Sequence, residues 1–321
     1  MFQVDPKWGN DRWQLRRIFR RVAIDSLNMG PIMIKFRTAM TVHALLVLLA
    51  LPVTYGETPA PGSPKSQNVL DEIRQHQDGL AIWWTGHNGW LIKSDGLLLG
   101  TDLVLDDLSR EYASPISAAE VADELDIAFI THGHGDHFNA ATSRVLAKKS
   151  KCLFVIPRNC LEKARDFGIP ENRLAVARPR QPMEVRGIKV EPLRALHGNR
   201  KGAVYWEANL DDCGYVFHLG GKSIMQPGDS VLLEDHLFVK HVDVLFVSPT
   251  EHNMQIDDSI TLINELEPDY ILPQHRDTYP VTQKNRFWTY AYTYDVQRRL
   301  SKGLQIRYHI VEMGRRFAIA P

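Results

Sequence analysis

Short apolar runs separated by polar or glycine-containing turns mark most of the chain after residue 80. Residues 81–84, 90–93 and 97–102 are such runs, and they predict three consecutive strands. The run at residues 127–130 is entirely apolar and predicts a short buried strand, after which two glycines permit a tight turn. The folded part of the chain should therefore open with strands, near Leu80.

Helical patterns then alternate with further strands. We predict helices at residues 117–125, 139–149, 159–167 and 231–239, from Asp257 or Asp258 to Leu266, and at 286–300. We predict further strands at residues 152–156, near Leu174, Val190 and Val216, and at 242–247 and 306–311. Two halves with strands inside and helices outside make an α+β fold, a four-layer αβ/βα sandwich.

Residues 1–56 differ from this pattern and are interpreted as an N-terminal extension with a signal peptide. A basic start at residues 33–37 precedes an apolar run at residues 42–53, which has the length of a signal-peptide core and is short for a membrane span. Five arginines from Arg12 to Arg21 leave two alternatives, an uncleaved anchor and an organelle transit peptide. We expect cleavage, and hence an exported, periplasmic or secreted protein.

Residues 57–79 are predicted to link this extension to the folded domain. Proline and glycine are frequent in residues 57–67, which indicates a stretch without regular structure. The folded domain should then span residues 80–321.

Composition narrows the classes of function. The 321 residues carry 38 Lys and Arg against 38 Asp and Glu, so the charge predicts no nucleic-acid partner. A membrane partner is expected only if the N-terminal segment stays uncleaved. Three scattered cysteines, Cys152, Cys160 and Cys213, are too few for a disulfide framework or a thiolate zinc site, and we expect buried free thiols. Pairing of Cys152 with Cys160 is the alternative.

The densest cluster of potential metal ligands follows the strand predicted at residues 127–130. His132, His134, Asp136 and His137 place four potential metal ligands within six residues. Imidazole suits zinc and iron, and the carboxylate adds a harder oxygen ligand. A histidine-rich surface loop without metal is the alternative, but the dense spacing at a strand end favours a metal site.

Three more candidate ligands follow apolar runs later in the chain, namely His197, Asp229 and His275. Together with the H-x-H-x-D-H pattern, in this order, they resemble the metallo-β-lactamase superfamily. The turn Gly86-His87-Asn88-Gly89 is similar to the branch that contains ascorbate-6-phosphate lactonase and N-acylphosphatidylethanolamine phospholipase D. In that branch a proline usually follows the aspartate at Asp102, whereas Leu103 stands here.

The resemblance implies a complete two-metal ligand set. One ion would be held by His132, His134 and His197, the other by Asp136, His137 and His275, with Asp229 bridging them. It further implies two divalent ions, zinc first and manganese or iron as alternatives, which share a nucleophilic hydroxide. Asp136 would also accept a proton during the reaction, and Asp102 would orient a ligand histidine without binding metal.

Two other histidines remain open at this stage. His87 either lines the pocket or is a turn histidine bonded to backbone. His252 is not expected to be a ligand, because the set is complete without it. A pocket-lining role for Glu251 or His252 is left open.

The substrate is the least determined part. Arg200, Lys201, Tyr205 and Trp206 could hold an anionic substrate or belong to an ordinary strand, and the aromatic residues at 279–294 could form an apolar rim or pack a helix. We predict a metal-dependent hydrolase of a phosphodiester, lactone or amide bond in a small molecule or lipid. The alternatives are an iron-dependent oxidoreductase on the same ligands and a non-catalytic metal-binding protein.

Overall fold

A computed structural model of the chain describes residues 66–198, 208–282 and 291–320. Within these residues two β-sheets lie face to face, and helices cover the outer face of each. The predicted four-layer αβ/βα sandwich is therefore confirmed.

The first sheet has seven strands in the order β13-β1-β2-β3-β4-β5-β6. Their bounds are β1 Leu80–Gly86, β2 Gly89–Ser94, β3 Leu97–Thr101, β4 Ile127–Phe129, β5 Leu153–Pro157, β6 Leu174–Ala177 and β13 Arg316–Ile319. Strands β3 to β6 pair in parallel, whereas the β13, β1, β2 and β3 neighbours are antiparallel.

The second sheet has six strands in the order β12-β11-β10-β9-β8-β7. Their bounds are β7 Met183–Val185, β8 Ile188–Arg194, β9 Cys213–Leu219, β10 Lys222–Gln226, β11 Val244–Val247 and β12 Tyr270–Pro273. Strands β10, β11 and β12 pair in parallel, so their carboxyl ends meet at one edge. Connections of this kind place loop residues from several strands close together.

The described helices are short. They are α1 Ser66–Gln75, α2 Ala118–Val121, α3 Ala140–Lys149, α4 Leu161–Asp166, α5 Glu234–Leu237, α6 Gln255–Leu266, α7 Ala291–Gln297 and α8 Lys302–Arg307. Helix α3 begins at the cap residue Asn139, whose side chain accepts a hydrogen bond from the Thr142 amide. Among the described residues, no helix has the length and apolar character needed to cross a membrane.

Aromatic side chains fill the space between the sheets. The ring of Trp90 on β2 stacks on Phe246 of β11 at 4.5 Å between centroids, and Phe129 of β4 lies 4.5 Å from Phe217 of β9. All four are buried. Because apolar faces of both sheets meet here, the sheets are held at a fixed separation and their strand ends are aligned.

The chain segment before β1 differs from the prediction. Residues 57–79 were expected to be a linker, but residues 66–75 form helix α1. Val69, Leu70 and Ile73 are buried against the outer face of the first sheet, and buried Lys93 donates a hydrogen bond to the Ile73 carbonyl at 2.6 Å. The proline- and glycine-rich composition ends before this helix, so the folded domain begins earlier than residue 80.

Two corrections concern the C-terminal end. The strand predicted at residues 306–311 is wrong, because residues 302–307 form α8 and the next regular strand is β13. Strand β13 pairs antiparallel with β1, from Leu80↔Ile319 to Trp83↔Arg316. Its alternating pattern covers only four residues, with Arg316 and Ala318 exposed and Ile319 buried, so the sequence signal is short. Tertiary pairing overrides local preference at such a strand.

Smaller differences concern helix bounds and the outer segments. Helix α6 begins at Gln255 rather than at Asp257 or Asp258, and the helix predicted at residues 231–239 is the short α5. All three cysteines are buried free thiols, as predicted. The N-terminal extension at residues 1–56 and the first part of the predicted helix at 286–300 lie outside the described residues.

The packing of α1 can be tested by truncating one buried side chain. Ile73→Ala should lower the free energy of unfolding by about 2–5 kcal/mol, because it leaves a cavity under the first sheet. Exposed Gln75→Ala is the control and should change it by less than about 0.5 kcal/mol. Equal unfolding free energies for the two variants, measured by urea denaturation, would contradict a structural role for α1.

Candidate metal centre

The loop after β4 is tightly constrained. The Thr131 amide donates to Asp102 Oδ1 at 2.8 Å, and the Cys213 amide donates to the Thr131 carbonyl at 2.9 Å. The amides of His137 and Phe138 both donate to the His134 carbonyl, at 3.1 and 2.7 Å. These bonds turn the chain back so that the side chains of the loop face the strand ends of the second sheet.

Three of the ligand candidates follow a strand end at the same distance. Strand β4 ends at Phe129 and His132 follows three residues later; β8 ends at Arg194 and β10 at Gln226, and His197 and Asp229 again follow three residues later. Short extensions of this kind can place side chains from different strands at one edge of the sandwich.

Three histidines form the first group at this edge. Ligand nitrogens of His132, His134 and His197 all lie within 4.8 Å of one another. His132 and His197 are buried and His134 is half-buried. Among the described residues, none offers a hydrogen-bond partner to the buried His132 Nε2. Buried polar atoms normally have a hydrogen-bond partner, and a cation bound to His132 Nε2 would take the place of that partner.

A second group lies beside the first. Ligand atoms of His87, Asp136, His137 and His275 lie within 4.8 Å of one another. Three of these four residues were predicted as ligands of the second ion, and His87 is an addition. The ring of His87 lies 3.9 Å from that of His275 between centroids.

Asp229 connects the two groups. Its Oδ2 atom is 2.9 Å from His275 Nε2, 3.3 Å from His137 Nε2 and 3.5 Å from His197 Nε2. The carboxylate therefore touches one histidine of the first group and two of the second. This is the position that the predicted bridging ligand requires.

The assembled donor set fits divalent ions. It combines imidazole nitrogens with two carboxylates, a combination typical of zinc and also found with iron and manganese. All seven predicted ligands lie in the two groups or between them. Their assignment as ligands stays a prediction.

Asp102 makes the contact that was predicted for it. Its Oδ2 accepts a hydrogen bond from His137 Nδ1 at 2.9 Å and from Thr131 Oγ1 at 2.7 Å, and the aspartate is fully buried. This leaves His137 Nε2 facing Asp136 and Asp229. A carboxylate of this kind fixes both the tautomer and the ring orientation of a ligand histidine.

The two histidines left open by the sequence now have defined surroundings. The His87 ring faces the site, with Nε2 3.0 Å from Asp136 Oδ2, which supports the pocket-lining interpretation, while its backbone carbonyl accepts hydrogen bonds from Trp84 and His275. His252 is 8% exposed, and its Nε2 lies 3.9 Å from Asp229 Oδ2. Its ring is 4.9 Å from that of His275. His252 thus lines the site, whereas Glu251 is exposed and accepts from Tyr292.

Sequence reasoning missed Asn88. Its Nδ2 donates to Asp229 Oδ1 at 3.0 Å, although the two residues are 141 positions apart. The G-H-N-G turn was visible in the sequence, but nothing in the sequence indicates which strand end it faces. Of the aromatic residues predicted as a rim, Tyr279 lies 5.1 Å from His87; residues 200–207 and 283–290 lie outside the described part.

The pKa shifts of most of these groups favour the protonation states that bind a metal ion. Burial would raise the pKa of Asp229, but His275 and His137 outweigh it and hold the pKa well below its usual range. Burial lowers the pKa of His132 well below its usual value and that of His197 to about 4. Ionised carboxylates and neutral imidazoles are the forms that bind metal.

His137 is the exception. Burial lowers its pKa, but the carboxylates of Asp229, Asp136 and Asp102 have the larger combined effect and raise it well above the usual value. Without a metal, His137 therefore carries a proton that partly compensates the buried carboxylates. A divalent ion would take over this compensation and release the proton.

Comparison with known proteins identifies the family of the chain. A model of the beta-lactamase superfamily domain matches residues 81–275, from the first strand to the last candidate ligand. The chain belongs to the beta-lactamase superfamily.

Relatives extend this assignment. A Desulforamulus reducens protein named UPF0173 metal-dependent hydrolase is 23% identical over 218 residues, covering 64% of this chain and 88% of its own. An Escherichia coli protein named "Probable L-ascorbate-6-phosphate lactonase UlaG" is 24% identical over 263 residues, covering 64% and 73%. The metallo hydrolase Igni18 from Ignicoccus hospitalis superposes with a TM-score of 0.57 at 17% identity, covering 75% and 98%. The predicted family and fold are confirmed.

The ligand assignment can be tested by metal analysis. His132→Ala and Asp136→Ala should each lose bound metal, because each removes a donor from one group. His236→Ala is a matched control, since His236 is equally buried but lies outside both groups. Elemental analysis after dialysis against zinc decides the point. Two tightly bound ions in both ligand variants would refute the assignment.

The role of Asp102 predicts a different loss. Asp102→Asn should keep the fold but weaken metal binding about 10- to 100-fold, because His137 is no longer held by a carboxylate. Competition with a chromogenic chelator measures this affinity. Asp126→Asn serves as the control. Within the described region, the Asp126 side chain accepts a hydrogen bond from the Leu98 amide and contacts no ligand candidate. Unchanged affinity in Asp102→Asn would contradict the orienting role.

Proposed function

We propose that this protein is a hydrolase that requires two divalent ions and cleaves an ester bond, either a lactone or a phosphodiester. The position of Asp229 carries the proposal, because its Oδ2 lies within 3.5 Å of histidines from both groups. The relatives named metal-dependent hydrolase and lactonase support the same class of reaction. Zinc is the first expectation for both ions, with manganese or iron as alternatives.

The ions would supply Lewis acidity and a nucleophile at neutral pH when bound. His132, His134 and His197 would hold one of them, and Asp136, His137 and His275 the other. The residues themselves orient these donors, since buried Asp102 and Thr131 fix His137 and its loop. A rigid set of donors lowers the reorganisation needed during the reaction.

Exposure indicates the side from which a substrate reaches the site. The Asp136 side chain is 26% exposed, whereas Asp229 and His275 are buried. Asp136 and the half-buried His134 therefore form the open face. This placement supports the predicted second role of Asp136, which is to accept a proton from the reacting group at its exposed edge.

The choice between the two ester classes rests on chemistry rather than on a visible pocket. A lactone needs one polarised carbonyl, and its leaving alkoxide stays attached to the product. A phosphodiester develops charge on attacking and leaving oxygens together, so that both ions contribute to its transition state. The name of the lactonase relative supports the first class, and we test both.

The test is a substrate panel followed by one variant. Purified protein, stripped of metal and reloaded with zinc or manganese, should hydrolyse a lactone or a phosphodiester and should lose this activity on stripping. An amide and a β-lactam complete the panel. Metal-loaded protein that cleaves no member of the panel, and no related ester, would refute the proposal.

Asp229→Asn then separates the two classes. If the preferred substrate is a phosphodiester, kcat should fall at least about a hundredfold, on the order of 3 kcal/mol, because the bridging carboxylate no longer holds both ions. A lactone should be less affected, because one ion can polarise its carbonyl. The measurement is kcat at saturating metal, with Asp126→Asn as the control, because Asp126 belongs to neither ligand group. Near-normal turnover of a phosphodiester by Asp229→Asn would contradict the two-ion mechanism.

Partners and location stay predictions. We expect a small-molecule or lipid substrate and export through the N-terminal segment, and these expectations rest on the sequence alone. The residues predicted to carry an export signal lie outside the described part of the chain.

A further inference from the structure

The turn between β1 and β2 lies against the metal centre although it contributes none of the seven predicted ligands. Its two central residues, His87 and Asn88, are fully buried. His87 has a φ angle of +52°, a conformation that a non-glycine residue adopts at a cost of about 1 kcal/mol or more. Surrounding contacts must therefore hold the turn in place.

These contacts come from the strand end that carries His275. The His87 amide donates to Thr278 Oγ1 at 2.5 Å, and the His87 carbonyl accepts from the His275 amide at 3.0 Å. Trp84 Nε1 donates to the same carbonyl at 3.0 Å. The turn and the His275 segment are thus bonded backbone to backbone, and any shift of one moves the other.

Asn88 reaches the bridging carboxylate. Its Nδ2 donates to Asp229 Oδ1 at 3.0 Å, while Asp229 Oδ2 faces the ring nitrogens of His137 and His275. The direction of this bond is unambiguous, because an ionised carboxylate only accepts. Asn88 Oδ1 faces Ser248 Oγ at 3.5 Å, a longer contact that agrees with this orientation of the amide.

His87 reaches the other carboxylate. Its Nε2 lies 3.0 Å from Asp136 Oδ2, and a carboxylate acceptor places the proton on Nε2. One turn therefore contacts both carboxylates of the centre and the backbone of His275. Asp136 and His275 belong to the same predicted ion, and Asp229 bridges to it.

We propose that His87 and Asn88 are positioning residues that aim these two carboxylates, and that the turn governs chiefly the ion of Asp136, His137 and His275. This rests on the proposed two-ion function. Without Asn88, Asp229 can rotate about its side-chain bonds, so that its oxygen no longer stays among the three imidazoles. Residues that orient metal ligands commonly change metal affinity about 10- to 100-fold when they are removed.

The test compares metal binding by Asn88→Leu with that of the wild type. Leu has a similar shape to Asn but donates no hydrogen bond. Zinc titration in competition with a chelator should show two ions in the wild type. In Asn88→Leu, zinc should bind about 10- to 100-fold more weakly, and the larger loss should fall on the ion of Asp136, His137 and His275, because Asp229 Oδ2 lies closer to His275 and His137 than to His197.

Asn159→Leu is the matched control. Its Nδ2 donates to Asp212 Oδ1 at 2.9 Å, so it matches the Asn–Asp pairing at an aspartate outside both ligand groups, although Asn159 is exposed and Asn88 is buried. Both ions should bind to this variant as in the wild type. Asn88→Ser, which retains a donor of smaller size, provides a milder change, and circular dichroism melting verifies that each variant is folded.

Direct observation completes the experiment. In a crystal structure of the wild-type protein loaded with zinc, the Asn88–Asp229 and His87–Asp136 hydrogen bonds should persist. His87 Nε2 at a ligand distance of about 2.0–2.1 Å from an ion would overturn its positioning role. Wild-type affinity for two ions in Asn88→Leu would overturn the role of Asn88 and leave the proposed function intact. Fewer than two ions in the wild type would instead refute the two-ion function itself.

Discussion

A carboxylate buried among imidazoles is the interaction on which this structure depends. Asp229 is 4% exposed, and its Oδ2 lies 2.9 Å from His275 Nε2. A buried charge costs several kcal/mol unless it is paired, and a second carboxylate, that of Asp136, lies 3.9 Å from the same His137 Nε2 that Asp229 faces. The site therefore requires positive charge at its centre, from a proton on His137 or from bound ions. The same requirement explains why so many donors converge on one point.

Rigidity beneath the site comes from a polar layer between the sheets. The amides of Gln226 and Gln274 bond to each other in both directions, at 3.0 and 2.7 Å, and Trp90 Nε1 donates to Gln274 at 2.8 Å. The Gly228 amide, next to Asp229, donates to Gln226 Oε1 at 3.2 Å. Each of these buried amides is hydrogen-bonded, so the layer stabilises one arrangement of strand ends instead of destabilising the core.

This layer and the G-H-N-G turn connect the two halves of the sandwich at the centre. Asn88 belongs to the first sheet and Asp229 to the second, and the hydrogen bond between them spans the interface. Thr131 and Cys213 form a further connection on the other side of the ligands. The metal centre therefore depends on the relative placement of both sheets, and its geometry is sensitive to packing far from any ligand.

Local pattern was sufficient for the ligand candidates and for most strands. His132, His134, Asp136 and His137 are close in sequence, and His197, Asp229 and His275 each follow an apolar run that ends at the same edge. Local pattern failed at α1 and β13, which are ordered by contact with the first sheet. Helix α1 does carry an apolar face, with Val69, Leu70 and Ile73, but it has only ten residues and follows a proline-rich stretch, and β13 has only four residues, too few for a distinct alternating pattern.

The residues from Leu80 onward contain enough periodicity and strand-end chemistry to indicate the sandwich, its family and seven candidate ligands. Which groups face one another was not encoded in any local pattern. The contacts Asn88–Asp229 and His87–Asp136 join positions 141 and 49 residues apart. Such pairs are set by the packing of whole sheets, because a side chain's neighbours across an interface depend on the register and separation of every strand between them.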